Sequence, residues 1–119
     1  VLSVNEKNFR EEVLEAGVPV LVNFWAPWCG ICRLIEPQLL QLQTNWRGEL
    51  KLVRINADEN IKLATNYRLK TLPTIILFEK GEVLNRFEHF QGRAELQKTL
   101  DAFLISYINQ KNIKQLQTF

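Results

Sequence analysis

The sequence predicts an α/β fold, a mixed β-sheet with helices on both faces. Three observations carry that reading. Residues 18–25 (VPVLVNFW) form an almost unbroken apolar and aromatic run, the mark of a strand buried on both faces in a parallel sheet. Thr74–Glu79 and Glu82–Phe87 are strand-like runs separated only by Lys80 and Gly81, which signals a hairpin and so an antiparallel pair. Around these runs lie segments whose apolar residues recur at helical spacing.

Residues 1–4 are a candidate opening strand. Phe9, Val13 and Ala16 then recur at helical spacing, with Asn5 as N-cap and Gly17 as terminator, which predicts a first helix. The strand over 18–25 follows, with Asn23 its one polar interior residue. From Cys29 to about residue 45, Ile31, Leu34, Ile35, Leu39, Leu42 and Trp46 keep a helical period through Pro37, which lacks an amide donor and should kink the helix. Residues 50–57 (LKLVRINA) alternate like a strand, and 58–67 read as a short helix with Ile61, Ala64 and Tyr67 on one face. After the hairpin, a helix over 93–107 places Leu96, Leu100, Phe103 and Leu104 together. Residues 1–107 make one domain, and 108–119, rich in Gln, Asn and Lys, either extend the last helix or fray.

At 119 residues the chain supports a single core. Its 46% apolar and 24% charged residues exclude a disordered chain, and five glycines and four prolines exclude a collagen-like or low-complexity one. Fifteen Lys and Arg against thirteen Asp and Glu leave a charge of +2 without a basic cluster, so nucleic acid is not an expected partner. No apolar run approaches the roughly 20 residues that span a bilayer; the best stretch, 18–28, contains Pro19, Asn23 and Pro27. No membrane partner is expected. The start lacks a basic leader and h-region, while a chain that begins at Val1 and holds no Met fits a processed precursor. The expected location is the cytoplasm, or an organelle stroma after presequence removal.

The two cysteines fall together as Cys29-Gly30-Ile31-Cys32, between the buried strand and an amphipathic helix. A bridge closing so short a loop removes little entropy from the unfolded chain, so it points to a switch rather than a staple. Positions three apart share a helical face, close enough to bridge. At the helix N-terminus, unpaired amides and the dipole favour a thiolate on Cys29, the expected nucleophile. Cys32, one turn further in and less accessible, is the expected resolving thiol. Zinc needs four ligands, and Cys29, Cys32 and His89 are too few, so no metal is expected within one chain. A cluster shared between two chains is the remaining metal reading. Trp25 and Trp46 read as packing residues, because no basic stripe accompanies them to make a stacking platform.

The strings VLVNFWAPWCGIC and LPTIILFEKGEV, with a terminal amphipathic helix, resemble thioredoxin over most of the chain, from about Val4 to Leu104. The resemblance implies the thioredoxin fold, a central mixed sheet flanked by four helices, with the dithiol exposed at the end of a strand and no bound cofactor. It matches Cys29 to the attacking cysteine, Cys32 to the resolving cysteine and Trp28 to the aromatic beside them. Pro73 matches a cis-proline whose loop, with Leu72 and Thr74, faces the disulfide and pairs with an extended substrate. Gly30 and Ile31 lie between the cysteines on the same docking surface, and Gly92 matches a glycine bordering the groove. The implied partners are disulfide-bonded protein substrates and a thioredoxin reductase or equivalent electron donor, with the chain a monomer.

Three features depart from that pattern. Asn23 stands where the family has a buried aspartate that assists proton transfer at the resolving cysteine; Asn cannot titrate, so slower resolution near neutral pH is expected. Ile31 replaces a proline, and its amide is expected to add a donor near the Cys29 sulfur, giving a less reducing couple. The stretch 84–91 is longer than usual and carries His89, which either lines the groove or is a bystander. Arg54 stands near the place of the missing acid, and its charged end is expected in solvent. The expected activity is protein-disulfide reduction by dithiol–disulfide exchange. Its rivals are an interaction module of the same fold with little redox turnover, and an oxidase or isomerase.

Overall fold

The computed structural model describes residues 1–46 and 48–117, with 112–117 described by helical backbone alone. Two compact units are present, Val1–His89 and Phe90–Phe119. The first contains a five-stranded sheet of β1 (Leu2–Ser3), β2 (Val20–Trp25), β3 (Lys51–Asn56), β4 (Thr74–Glu79) and β5 (Glu82–Phe87), in the order β1-β3-β2-β4-β5. β3 runs parallel to both β1 and β2, and β4 runs antiparallel to both β2 and β5. The parallel β2–β3 step needs a crossover, supplied by α1 (Gly30–Asn45), while α2 (Ile61–Asn66) lies between β3 and β4.

Residue alternation decides what each face holds. From β2, Val20, Val22 and Phe24 join Val53, Ile55, Ile76 and Phe78 in one core, closed by Phe9, Val13 and Leu63. Phe78 meets Phe9 and Tyr67 edge-on at ring separations of 5.8 and 5.4 Å. The intervening residues of β2 and β3 take the other face, where Asn23 lies opposite Arg54 in register and α1 packs on β3 with Ile35 and Leu39 fully buried. Pro37 sits inside α1 and has no amide to donate to the Arg33 carbonyl.

The expected first helix is one wide turn, Arg10–Leu14, in which the Glu15 amide donates to the Arg10 carbonyl five residues back at 2.9 Å. Asn5 does not cap a long helix. Its Oδ1 accepts the amides of Lys7 and Asn8 at 2.8 and 3.2 Å, which holds the intervening chain in a tight local turn. The single wide turn still buries Phe9 and Val13. β2 begins at Val20 because Pro19 has no ladder donor, although its carbonyl accepts the Lys51 amide at 2.9 Å. α2 begins later than position 58 because Asn56 Oδ1 takes the amides of Asp58 and Glu59. The hairpin falls where expected. Lys80 and Gly81 have φ of 53° and 80°, the pair of positive values that a two-residue turn of this hand requires.

In the second unit, α3 (Arg93–Gln117) buries Leu96, Leu100 and Leu104, each four residues from the last.

Candidate active site

β2 ends at Trp25, and residues Ala26 to Trp28 turn the chain into α1. Cys29 donates its amide to the Ala26 carbonyl at 3.1 Å and takes an extended conformation, φ −85° and ψ 106°, as the N-cap of α1. Its sulfur fills the role usually taken by a Ser or Asp oxygen: Sγ accepts the Cys32 amide at 3.2 Å. Cys29 and Cys32 form a disulfide with their Cα atoms 5.3 Å apart, within the ordinary range.

The two sulfurs are less open than expected. Cys29 is 5% exposed and Cys32 3%, so the bridge is shielded and the difference in access between the cysteines is small. The N-cap geometry causes this by folding the Cys29 side chain back over the first helical turn. The Ile31 expectation also needs correction, because the amide that reaches the Cys29 sulfur is that of Cys32 and not that of Ile31. Ile31 is instead an exposed apolar side chain, and a Cβ at the neighbouring Gly30 would meet nothing within 4 Å. The surface around the bridge is therefore open and uncharged at these two positions.

Trp28 is 67% exposed, yet its ring is fixed: Nε1 donates to Asp58 Oδ2 at 2.8 Å. Asp58, which was not singled out in the sequence, belongs to the turn after β3. Trp28, Asp58, Ile61, Lys70 and Leu72 line a surface pocket of about 240 Å³. The Leu72–Pro73 peptide bond is cis, and Pro73 is buried. Thr74, fully buried, donates its hydroxyl to the Thr71 carbonyl at 2.7 Å. Because β4 runs antiparallel to β2 and Thr74 pairs with Phe24, Pro73 enters the sheet at the end from which β2 leaves for Cys29.

Asn23 is 6% exposed, and its Oδ1 has no hydrogen-bond partner among the described residues. Arg54 is not turned to solvent as expected. Its Nη1 donates to Glu36 Oε1 at 2.8 Å, and its guanidinium lies 3.9 Å from the centre of the Trp25 ring, with both ends of the ion pair half-buried. α1 supplies the partner that the sequence reading found missing. His89 is exposed after β5 with φ 62°, and it is not among the residues lining the cavities beside Cys32 or the pocket at Trp28. Gly92 belongs to the second unit, where its carbonyl accepts the Leu96 amide at 3.2 Å at the start of α3. Among the described residues no cluster of His, Cys, Asp and Glu could hold a metal ion, and no helix is long and apolar enough to cross a membrane.

The thioredoxin family model matches residues 1–102. Thioredoxin 1 of Nostoc sp. is 37% identical over 101 residues, covering 85% of this chain and 94% of the relative. Thioredoxin 1 of Synechococcus elongatus is 36% identical over 102 residues, covering 86% and 95%. The chloroplastic thioredoxin M4 of Arabidopsis thaliana is 40% identical over 105 residues, covering 88% of this chain and 54% of the relative. In fold, in dithiol and in descent, this chain belongs to the thioredoxin family of protein-disulfide oxidoreductases.

Proposed function

We propose that the chain works as a reductant of protein disulfides, with Cys29 attacking and Cys32 resolving. The observation that supports this assignment is the hydrogen bond from the Cys32 amide to Cys29 Sγ at the head of α1. In the reduced protein the same amide and the helix dipole favour negative charge on Cys29 rather than on Cys32. Cys29 thiolate attacks one sulfur of the substrate disulfide, forming a mixed disulfide and releasing the other substrate sulfur as a thiolate. Cys32 then attacks Cys29 Sγ, which re-forms the intramolecular bridge and releases the second substrate sulfur. A dithiol-donating reductase returns the pair to the reduced state.

The docking surface in this reading consists of Trp28, Gly30, Ile31 and the Leu72-Pro73-Thr74 segment. Exposed Ile31 and the pocket at Trp28 suit an apolar residue beside the target disulfide. We place the protein as a monomer in the cytoplasm or an organelle stroma, the latter supported by its likeness to proteins named chloroplastic M-type thioredoxins.

Insulin reduction driven by dithiothreitol tests the assignment. Wild type should accelerate precipitation of the insulin B chain, and both Cys29→Ser and Cys32→Ser should abolish turnover. Cys32→Ser alone should accumulate a stable mixed disulfide. An inert wild type would instead support an interaction module, and a mixed disulfide accumulating through Cys32 would reverse the two roles.

A further inference from the structure

A cavity of about 20 Å³ lies beside Cys32, lined by Asn23, Trp25, Cys32, Arg33, Glu36 and Arg54. That volume admits one water molecule. A smaller cavity of about 10 Å³ shares Asn23, Glu36 and Arg54 and adds Val1, Leu39 and Leu52. Glu36 is the one carboxylate among the described residues lining either cavity. It follows Cys32 by four positions on α1, so the two side chains share a helical face with Cβ atoms roughly 5–6 Å apart. The Arg54 contact occupies Glu36 Oε1 and leaves Oε2 to accept another proton donor. Asn23 of β2 also lines the cavity, and its buried Oδ1 has no partner among the described residues, an acceptor suited to orienting a water but unable to take up a proton.

We propose that Glu36 is the proton acceptor for the Cys32 thiol, acting through a single water in this cavity, with Arg54 and Asn23 positioning the relay. The inference rests on the roles proposed above for the two cysteines. In the resolution step the Cys32 thiol gives its proton to the water as the water gives one to Glu36. The electron pair left on Cys32 Sγ forms the bond to Cys29 Sγ, the bond between Cys29 and the substrate sulfur breaks, and the substrate leaves as a thiolate. The protein dithiol is oxidised by two electrons and the substrate disulfide is reduced by two; the proton on Glu36 then passes to solvent. The charged groups facing Glu36 are Arg54 from β3, Arg33 from α1 and Val1, whose amino group is charged where it is the chain terminus.

Reduced protein mixed with the aromatic disulfide dithiobis(nitrobenzoate) separates the two chemical steps, because attack and resolution each release one coloured thiolate. In wild type the second phase should be nearly independent of pH between about 6 and 8, whereas an unaided thiol of ordinary acidity gains about tenfold per pH unit there. Glu36→Gln should slow the second phase by about 100-fold at neutral pH, restore the tenfold slope and leave the first phase in place. Arg54→Met keeps the carboxylate, so it should lower the plateau without restoring the slope; a purely structural role for the ion pair would make both variants behave alike. A second phase that is unchanged in Glu36→Gln, or slowed equally at every pH, overturns the proposal. If Glu36→Gln does not fold, the wild-type profile decides alone: a tenfold slope across the range overturns it. Absence of the first phase in wild type would instead overturn the cysteine assignment.

Discussion

Asn23 of β2 and Glu36 of α1 line one small cavity, and the side chain on the sheet is the one that cannot titrate. Glu36→Gln followed by Asn23→Asp should therefore move the carboxylate from α1 to β2 and recover at least about fivefold of the lost resolution rate, a part of the range expected for a positioned base. In the wild-type background the same Asn23→Asp change should raise turnover at neutral pH by less, because a base is already present. Equal gains in both backgrounds, measured by the second thiolate release, would separate Asn23 from Glu36. Tyr67 is a second residue with a pH signature. It packs against Phe9 and Phe78, and burial holds its phenol above the ordinary value of 10.0. The folded state keeps the phenolic proton more tightly than the unfolded state does, so this stability is complete below about pH 10 and is lost as pH rises through the raised value. Tyr67→Phe should lose less of its urea midpoint than wild type between about pH 9 and pH 11. Equal losses would place the alkaline weakness elsewhere.

α2 carries Ile61 and Ala64 into the Trp28 pocket, and its start is held by side chains rather than by its own length. Asn60 is buried, with Oδ1 accepting the Glu6 amide and Nδ2 donating to the Asn56 carbonyl, both at 2.9 Å; Glu6 Oε2 in turn accepts the Lys62 amide at 3.0 Å. Asn60→Ala removes two hydrogen bonds to part-buried backbone groups and should cost about 1–3 kcal/mol in urea unfolding, with weaker binding at the Trp28 pocket. A loss under about 0.5 kcal/mol would mean that water replaces the amide. Such elements show which parts of a sequence can be read. β2 and the hairpin are encoded by patterns within a few residues, Val20 to Trp25 and Lys80-Gly81, so periodicity and turn chemistry suffice. The first helix shrinks to one wide turn although Asn5 Oδ1 takes the Lys7 and Asn8 amides as an N-cap would, because apolar spacing does not fix where a bond to the residue five back replaces one to the residue four back. The Cys29–Cys32 pair was legible for the same reason as the hairpin. The Trp28–Asp58 bond and the Arg54–Glu36 pair were not, since strand register and the seat of α1 bring together residues 30 and 18 positions apart. One clue was available: the interval of four between Cys32 and Glu36.

For the molecule as a whole, the bridge must open without loss of the fold. Closing the short loop from Cys29 to Cys32 accounts for about 2 kcal/mol of chain entropy at room temperature, less than the roughly 5–15 kcal/mol by which single domains are stable. Reduction should therefore lower the unfolding free energy by about 2 kcal/mol and leave far-ultraviolet circular dichroism unchanged; a reduced chain unfolded in dilute buffer would contradict the attribution of stability to the sheet. The sheet has two unlike borders. On one, Leu2 and Ser3 pair with Val53 and Arg54, and the Val4 amide continues to the Arg54 carbonyl at 2.9 Å. This brief strand covers part of the flank of β3, whose Leu52, Val53 and Ile55 are among the most buried apolar residues. Proteolytic nicking that strips residues 1–3 would bare that flank, and unsatisfied amides beside three large aliphatic groups are what seeds intermolecular stacking into fibres.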